Sequence, residues 1–275
     1  MSWCAVDVRS PPDSRDAVAS WLVGRTGQAV EERNDGILVG FSETEGSAEQ
    51  LLGELHARFG AGVEGRARTL PVVDWSARWR DGLGPRAIGR LTVTPSWLAS
   101  AAPAETRVII DPESAFGTGE HGSTRSALAL LERHLQPGDR VLDLGSGSGI
   151  LTIAAAKLGA ARATGVELDE EADPIAAANA RRNGVADRVC FITGEAAALA
   201  PLLGPADIVL SNILRSVNLT LLPAIRSSLR PGGLAIFAGM EGAERELFLP
   251  ALGAGFAPVD EAVDDGWWAV AARGR

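Results

Sequence analysis

The sequence has few of the side chains that metal centres and disulfide scaffolds require. It contains two cysteines and three histidines in 275 residues, and the histidines lie far apart at positions 56, 121 and 134. Two cysteines cannot build a disulfide framework, and this histidine spacing matches no zinc-binding pattern. We therefore expect a cytoplasmic protein that binds no metal.

Long apolar runs and basic charge are also scarce. No apolar stretch approaches the roughly 18 residues of a membrane span, and the first residues lack the pattern of a signal peptide. Acidic residues outnumber basic ones by 35 to 26, and Lys157 is the single lysine. A protein that binds its partner mainly through phosphate groups needs a concentrated basic surface. We expect no membrane association and no stable nucleic-acid binding.

The length predicts two domains, because 275 residues exceed the roughly 100–200 of a single domain. Short segments at 3–8, 14–22, 29–33, 36–41, 48–59 and 62–70 follow the order βαββαβ, with a hairpin turn at Asn34-Asp35-Gly36. This order predicts a small ferredoxin-like α+β domain over residues 1–70. Residues 71–110 are rich in Trp and Pro, which predicts a linker.

Residues 111–275 form the second predicted domain, where strands and helices alternate from Arg140 onward. Strands are expected at 140–145, 163–168, 189–193, 207–212, 234–238 and 267–272. Helices are expected at 150–158, 170–183, 219–229 and 243–252. The spacing is typical of βαβ units and predicts a mostly parallel sheet covered on both faces.

A glycine-rich loop, Asp143-Leu-Gly145-Ser-Gly147-Ser-Gly149, connects the first of these strands to a helix. Glycines there let a ligand approach the backbone. The third glycine of the dinucleotide fingerprint is missing, and no Lys-Ser/Thr follows as in a P-loop. The Asp143 carboxylate, two residues before the first glycine, suits the ammonium group of a nucleoside that carries an amino acid. The loop therefore predicts S-adenosylmethionine (AdoMet) as the cofactor.

Polar side chains at the ends of the following strands extend the predicted site. Glu167 is placed to accept hydrogen bonds from both ribose hydroxyls, and Glu195 from the adenine amino group. A loop acid such as Glu195 is about as often merely solvated. Asn212 is predicted to orient an attacking amine, since an amide has no useful basicity; the alternative is a turn or capping asparagine.

The segment before the core, residues 111–124, contains three glycines and several hydroxyl side chains. We expect it to fold over the cofactor, with Ser123 or Thr124 capping the next helix. His121 is a candidate proton relay, although a lone histidine is more often structural.

The loop Phe116-Gly117-Thr118-Gly119-Glu120-His121, joined to Asn212-Ile213-Leu214, resembles the PrmA family of bacterial ribosomal-protein methyltransferases. Further matching positions are Asp74-Trp75, Trp79, Pro95-Ser96-Trp97, Asn183-Gly184-Val185 and Trp268. The resemblance implies a Rossmann-like class I methyltransferase fold, with a seven-stranded, mostly parallel sheet. The match covers about residues 70–275 and is looser before them.

This resemblance also implies site residues and a substrate. It matches Thr124, Gly145, Glu167 and Asn212 to the cofactor contacts of the family. Together with the residues singled out from the sequence itself, the catalytic candidates are Asn212 and His121, and the cofactor-binding candidates are Phe116, Thr118, Thr124, Asp143, Gly145, Gly147, Gly149, Glu167, Glu195 and Asn212. The implied substrate is protein eleven of the large ribosomal subunit, methylated on lysines and on its N-terminal amine and held by the N-terminal domain. Glu167 replaces the more usual Asp, and Glu113-Ser114 and Gly122-Ser123 also depart from the family pattern.

Two other functions remain open from the sequence. The same fold can methylate a small-molecule amine, with the N-terminal domain acting as a lid. A non-catalytic AdoMet-binding module is less favoured, because such a protein would be free to lose Asn212 or the glycine loop. We expect a monomer.

Overall fold

The computed structural model describes residues 3–11, 14–27, 30–33, 36–70, 84–101, 103–111, 117 and 119–275. The chain divides into two compact units, Met1–Gly82 and Leu83–Arg275. The predicted sites at Phe116 and Thr118 lie outside the described residues, as do Asp74, Trp75, Trp79, Glu113, Ser114 and two residues of the predicted hairpin turn, Asn34 and Asp35.

The N-terminal unit has the predicted βαββαβ order. Its elements are β1 (Cys4–Arg9), α1 (Arg15–Thr26), β2 (Glu31–Glu32), β3 (Ile37–Ser42), α2 (Glu45–Phe59) and β4 (Glu64–Thr69). The strands form an antiparallel sheet in the order β2-β3-β1-β4. Alternate residues of β1, including Val6 and Val8, point into a core with Leu22 and Leu55. This is the ferredoxin-like arrangement that the segment order predicts.

The second unit opens with a small sheet where the sequence predicted a linker. Strands β5 (Arg86–Ile88), β6 (Leu91–Thr94) and β7 (Arg107–Ile109) pair in that order. The linker prediction for residues 71–110 is therefore wrong for this stretch. Ile88, Leu91, Val93 and Val108 are buried in the core of the second unit, and the Pro-rich composition obscured this short apolar pattern.

A seven-stranded sheet forms the centre of the second unit, with strands in the order β10-β9-β8-β11-β12-β14-β13. The strands are β8 (Arg140–Leu144), β9 (Arg162–Glu167), β10 (Val189–Thr193), β11 (Ala206–Asn212), β12 (Leu229–Glu241), β13 (Phe256–Asp264) and β14 (Trp267–Gly274). The helices are α3 (Gly122–His134), α4 (Ile150–Lys157), α5 (Ala172–Arg182), α6 (Ala196–Leu203), α7 (Arg215–Ser228) and α8 (Arg245–Leu252). Strands β8 to β12 run parallel, and β14 is antiparallel to both of its neighbours. The predicted Rossmann-like class I methyltransferase fold is confirmed.

Both faces of this sheet are buried. Val141 of β8 belongs to one hydrophobic cluster, and Leu142 and Leu144 belong to the cluster on the other face. Besides the small sheet of β5 to β7, two elements of the second unit were not predicted. The edge strand β13 has exposed positions along it and contains Pro258, and α6 is only eight residues long. No helix in the described ranges is long and apolar enough to span a membrane.

The order of the strands in the sheet indicates where a ligand crevice is expected. The chain runs from β8 outward to β9 and β10, then returns to the other side of β8 with β11 and β12. Open parallel sheets bind ligands at such a switch point, outside the carboxyl ends of the strands. Gly145 follows β8 and Asn212 ends β11, so two predicted site residues flank this crevice.

Candidate active site

A cavity of about 500 Å³ lies at this switch point. It is bordered by the ends of β8, β9, β11 and β12, the start of α3 and the turn between β13 and β14. The lining residues are His121, Ser123, Gly145, Gly147, Glu167, Asn212, Ile213, Leu214, Val217, Gly239 and Trp267. The structure therefore brings five predicted site residues together in one cavity.

The glycine loop forms one wall of the cavity. The amides of Gly145 and Ser146 both donate to the carbonyl of Val166, at 2.8 and 3.1 Å. Gly145 has a φ of 77°, and a Cβ there would lie 2.6 Å from Cγ2 of Ile213. Only glycine combines this backbone conformation with such a close approach. The turn thereby brings bare backbone to the edge of the cavity.

Glu167 presents a fixed carboxylate to the same cavity. Its Oε2 accepts from the Gly147 amide at 2.8 Å, and Oε1 accepts from the amides of Leu168 at 2.8 Å and Asp169 at 3.2 Å. A carboxylate offers about four acceptor positions. Three backbone donors orient the group and still leave acceptor capacity for vicinal hydroxyls of a ligand, as the sequence predicted.

Asn212 contributes an incomplete hydrogen-bonding group. Its Nδ2 donates to Oγ1 of the buried Thr124 at 3.3 Å. Its Oδ1 is shielded from solvent and finds no hydrogen-bond donor among the described residues. A buried acceptor without a donor costs free energy. The unsatisfied oxygen therefore marks the place where a ligand N–H is expected.

Asp143, inside β8, bonds to the helix that follows the glycine loop. The side chain is fully buried and is absent from the cavity lining; its Oδ2 accepts from Thr152 N at 3.1 Å and Thr152 Oγ1 at 2.7 Å. Burial raises the pKa of this carboxyl to about 7, with the Thr152 bonds opposing the shift and the charge of Glu167 adding to it. Asp143 thus supports the first turn of α4, while its Oδ1 has no hydrogen-bond partner among the described residues, so the predicted contact with a ligand ammonium group stays a prediction.

This burial predicts a pH-dependent contribution of Asp143 to stability. The native pKa of about 7 lies above the unfolded value of about 3.9. The stabilisation from neutral Asp143 is complete below about pH 4 and is lost as the pH rises to about 7. Relative to Asp143→Asn, the wild-type free energy of unfolding should fall by at most about 4 kcal/mol across this window.

Urea denaturation of both proteins at pH 5, 6, 7 and 8 measures this difference. The difference in the free energy of unfolding between the wild type and Asp143→Asn should narrow or reverse between pH 5 and 7 and level off towards pH 8. Parallel pH profiles for the two proteins would show that Asp143 is ionised throughout.

His121 and Trp267 together form part of the cavity wall. Their rings are 4.2 Å apart between centroids and tilted by 56°, and Nδ1 of His121 lies 2.7 Å from Oγ of Ser123. Neither Ser123 nor Thr124 caps α3, contrary to prediction, because the helix begins at Gly122 and places both residues within its first turn. Their hydroxyls contact His121 and Asn212 instead.

Two further predicted residues, Gly149 and Glu195, do not line the cavity. Gly149 ends the glycine loop with a φ of 80° and precedes α4. Glu195 is exposed at the start of α6, two residues beyond the strand partner of Glu167. Because Glu195 is not among the residues that line the cavity, its contact with adenine stays a prediction.

Several cavity residues were missed by the sequence reasoning, among them Trp267, Leu214 and Val217. The neighbouring Trp268, which matches a family position, is 1% exposed and donates from Nε1 to Glu261. Neighbouring residues of a strand face opposite sides, so only one of the two tryptophans can face the cavity. The register of β14 assigns that position to Trp267.

Comparison with known proteins places this site in a family. The family model for ribosomal protein L11 methyltransferase (PrmA) matches residues 26–275. The chain belongs to this family. It is 42% identical over 228 residues to the ribosomal protein L11 methyltransferase of Thermus thermophilus, covering 81% of this chain and 87% of the relative. The enzyme of the same name from Pelotomaculum thermopropionicum is 35% identical over 307 residues, with 99% of both chains covered.

A solved structure of the PrmA family has the same fold. The crystal structure of ribosomal protein L11 methylase from Lactobacillus delbrueckii subsp. bulgaricus superimposes with a TM-score of 0.62 at 29% identity. The match covers 70% of this chain and 99% of that chain. The chain is thus an AdoMet-dependent methyltransferase, and the fixed carboxylate of Glu167, the bare glycine loop and the unsatisfied oxygen of Asn212 fit an amino-acid-bearing nucleoside.

Proposed function

We propose that this PrmA-family enzyme methylates amino groups of ribosomal protein L11, on lysine side chains and on the N-terminal α-amine. The observation that carries the proposal is the unsatisfied Oδ1 of Asn212, buried at the cavity that the glycine loop borders. We further propose that the enzyme acts as a monomer in the cytoplasm.

The cofactor is assigned to the glycine-loop side of the cavity. Backbone at Gly145 and Gly147 would hold the methionine portion, and Glu167 would accept from the ribose hydroxyls. When bound, AdoMet supplies an electrophilic methyl group carried on a sulfonium. This assignment leaves Asn212 and the wall formed by His121 and Trp267 for the acceptor amine.

The acceptor must present a neutral amine, and the two substrate types differ in what this requires. At pH 7, deprotonating a lysine of pKa ~10.4 costs about 4.6 kcal/mol, whereas an α-amine near 7.8 costs about 1 kcal/mol. Ile213, Leu214, Val217 and Trp267 give the cavity an apolar wall. Desolvation there lowers the pKa of an entering amine and so favours its neutral form.

Asn212 and His121 then act on this amine. The Oδ1 of Asn212 accepts one N–H, which orients the lone pair without removing a proton. His121 lines the same cavity, and its imidazole takes up the proton that the amine releases. Catalysis therefore depends on positioning and desolvation, with a proton relay at the cavity wall.

The N-terminal unit is proposed to hold the protein substrate. Residues 1–82 carry 13 acidic and 9 basic side chains, a balance that favours a basic partner. We accordingly keep residues 1–70 as the substrate-recognition domain and assign the transfer of the methyl group to the second unit.

The proposal is tested by offering the full chain labelled AdoMet together with either purified ribosomal protein L11 or a panel of free amines that includes lysine. Label in the protein fraction, with kcat/KM far above that for any free amine, is the expected result. Label in small molecules while the ribosomal protein stays unmodified would instead establish the small-amine alternative.

A further inference from the structure

A two-residue hairpin turn precedes Trp267, which lines the cavity. Asp265 and Gly266, between β13 and β14, have φ values of 48° and 78°. Such a two-residue turn requires positive φ at both positions. Asp265 is the only non-glycine residue with positive φ in the described part of the chain. Asp-Gly is a preferred sequence for such a turn, so the hairpin itself fixes the start of β14 at Trp267.

Arg125, on the first turn of α3, makes a specific contact at the start of this turn. Its Nε donates to Oδ2 of Asp264 at 3.0 Å and its Nη2 to Oδ1 at 2.6 Å, while Nη1 donates to the carbonyl of Glu120. This two-bond geometry lowers the pKa of the Asp264 carboxyl. One guanidinium thus joins the turn that precedes Trp267 to the segment that precedes His121.

Packing reinforces the same connection. A Cβ on Gly122 would lie 2.4 Å from the carbonyl oxygen of Asp264 and 2.9 Å from Cδ1 of Trp267. On the other side, the Gly242 amide donates to the carbonyl of Gly266 at 2.8 Å. The turn therefore packs directly against the start of α3, next to His121.

We propose that Arg125 and Asp264 form a positioning pair that holds Trp267 against His121 and so shapes the amine-accepting side of the cavity. The pair touches neither cofactor nor amine and acts through the two rings. This inference rests on the proposed function for its effect on methylation, but the ring contact itself is measurable without any substrate.

The chain offers a matched control. Arg133 lies eight residues further along α3, where its Nη1 donates to Oδ1 of Asp260 on the same strand β13 at 2.9 Å. The control pair also connects α3 to β13, but neither of its residues lines the cavity. Asp260→Ala therefore reproduces the loss of an ion pair without disturbing the turn.

The first measurement is the NMR signal of His121 in the free protein. With only three histidines in the chain, each ring Cε1 proton can be assigned by substitution. The ring current of the neighbouring Trp267 should shift the His121 signal, and Trp267→Leu supplies the reference without that shift. Asp264→Ala and the milder Asp264→Asn should remove at least half of the shift, whereas Asp260→Ala should leave it unchanged.

The second measurement is steady-state methylation of ribosomal protein L11. Asp264→Ala should lower kcat/KM for the protein substrate about tenfold and change the Kd for S-adenosylhomocysteine less than twofold. An unchanged His121 signal, or equal effects of Asp264→Ala and Asp260→Ala, would overturn the positioning pair. Failure of the wild-type chain to methylate ribosomal protein L11 would instead refute the proposed function. The NMR result would still test whether Arg125 and Asp264 maintain the contact between the two rings.

Discussion

Replacing Asn212 with alanine should reduce kcat for methyl transfer by about 100-fold or more, while the Kd for S-adenosylhomocysteine changes less than about threefold. The variant removes the buried Oδ1 that lacks a donor in the structure. Without this acceptor the amine loses the group that orients its lone pair, and orientation supplies much of the rate in such a site. Single-turnover kinetics and calorimetric binding measure the two quantities separately.

Asn183 provides the control for general damage to the fold. Its Oδ1 accepts from Ile109 N at 2.8 Å, and its Nδ2 donates to the carbonyls of Ile109 at 2.7 Å and Asn179 at 2.9 Å. Asn183→Ala should cost about 2–4 kcal/mol of stability and leave kcat within about twofold at a temperature where it is folded. Full activity in Asn212→Ala would remove that residue from the mechanism.

Replacing Glu167 with glutamine should weaken S-adenosylhomocysteine binding about 100-fold. The substitution keeps the size of the side chain but removes the charge and one acceptor oxygen. Hydrogen bonds to charged groups are each worth about 1.5–3 kcal/mol, and about 1.4 kcal/mol corresponds to a tenfold change in affinity. The variant also weakens the bond from the Gly147 amide that shapes the glycine loop.

Asp169 supplies the matched comparison for Glu167. It lies two residues further along, is exposed, and its Oδ1 accepts from the Glu171 amide at 2.9 Å. Asp169→Asn should change the affinity less than about twofold, and Glu167→Asp should retain part of it because the carboxylate remains. Equal losses in Asp169→Asn and Glu167→Gln would indicate a general electrostatic effect in place of a ribose contact.

Positions at the ends of parallel strands were predictable because the fold brings those ends to one edge. Gly145, Glu167 and Asn212 each stand at or just after such an end, so their proximity followed once the βαβ pattern was recognised. The glycine spacing selected the ligand class. Strand periodicity and the glycine loop therefore carried the prediction of the fold and of the cofactor side of the site.

The orientation of individual side chains was harder to predict. Asp143 lies between Leu142 and Leu144, which share one face of the sheet, so its own side chain turns to the face covered by α4. Its proximity to the glycine loop suggested a direct ligand contact, whereas the partner observed for its Oδ2 is Thr152. The choice between Trp267 and Trp268 likewise depended on the register of an antiparallel strand near the end of the chain.

Elements held by distant partners were also missed. The small sheet of residues 86–109 is stabilised by burial against α3 and α4, which follow much later in the sequence. Short strands of three or four residues carry little periodic signal of their own. The nine-residue edge strand β13 was missed for another reason, since it has exposed positions along it and contains Pro258. Its pairing with β14 defines the turn that precedes Trp267.

The most direct test of this account is the intact mass of ribosomal protein L11 after incubation with AdoMet and either the wild-type chain or Asn212→Ala. The account predicts mass increases in steps of one methyl group with the wild-type chain, located on amines by fragmentation, and an unmodified protein with the variant. An unmodified protein with the wild-type chain, or equal methylation by both, would contradict it.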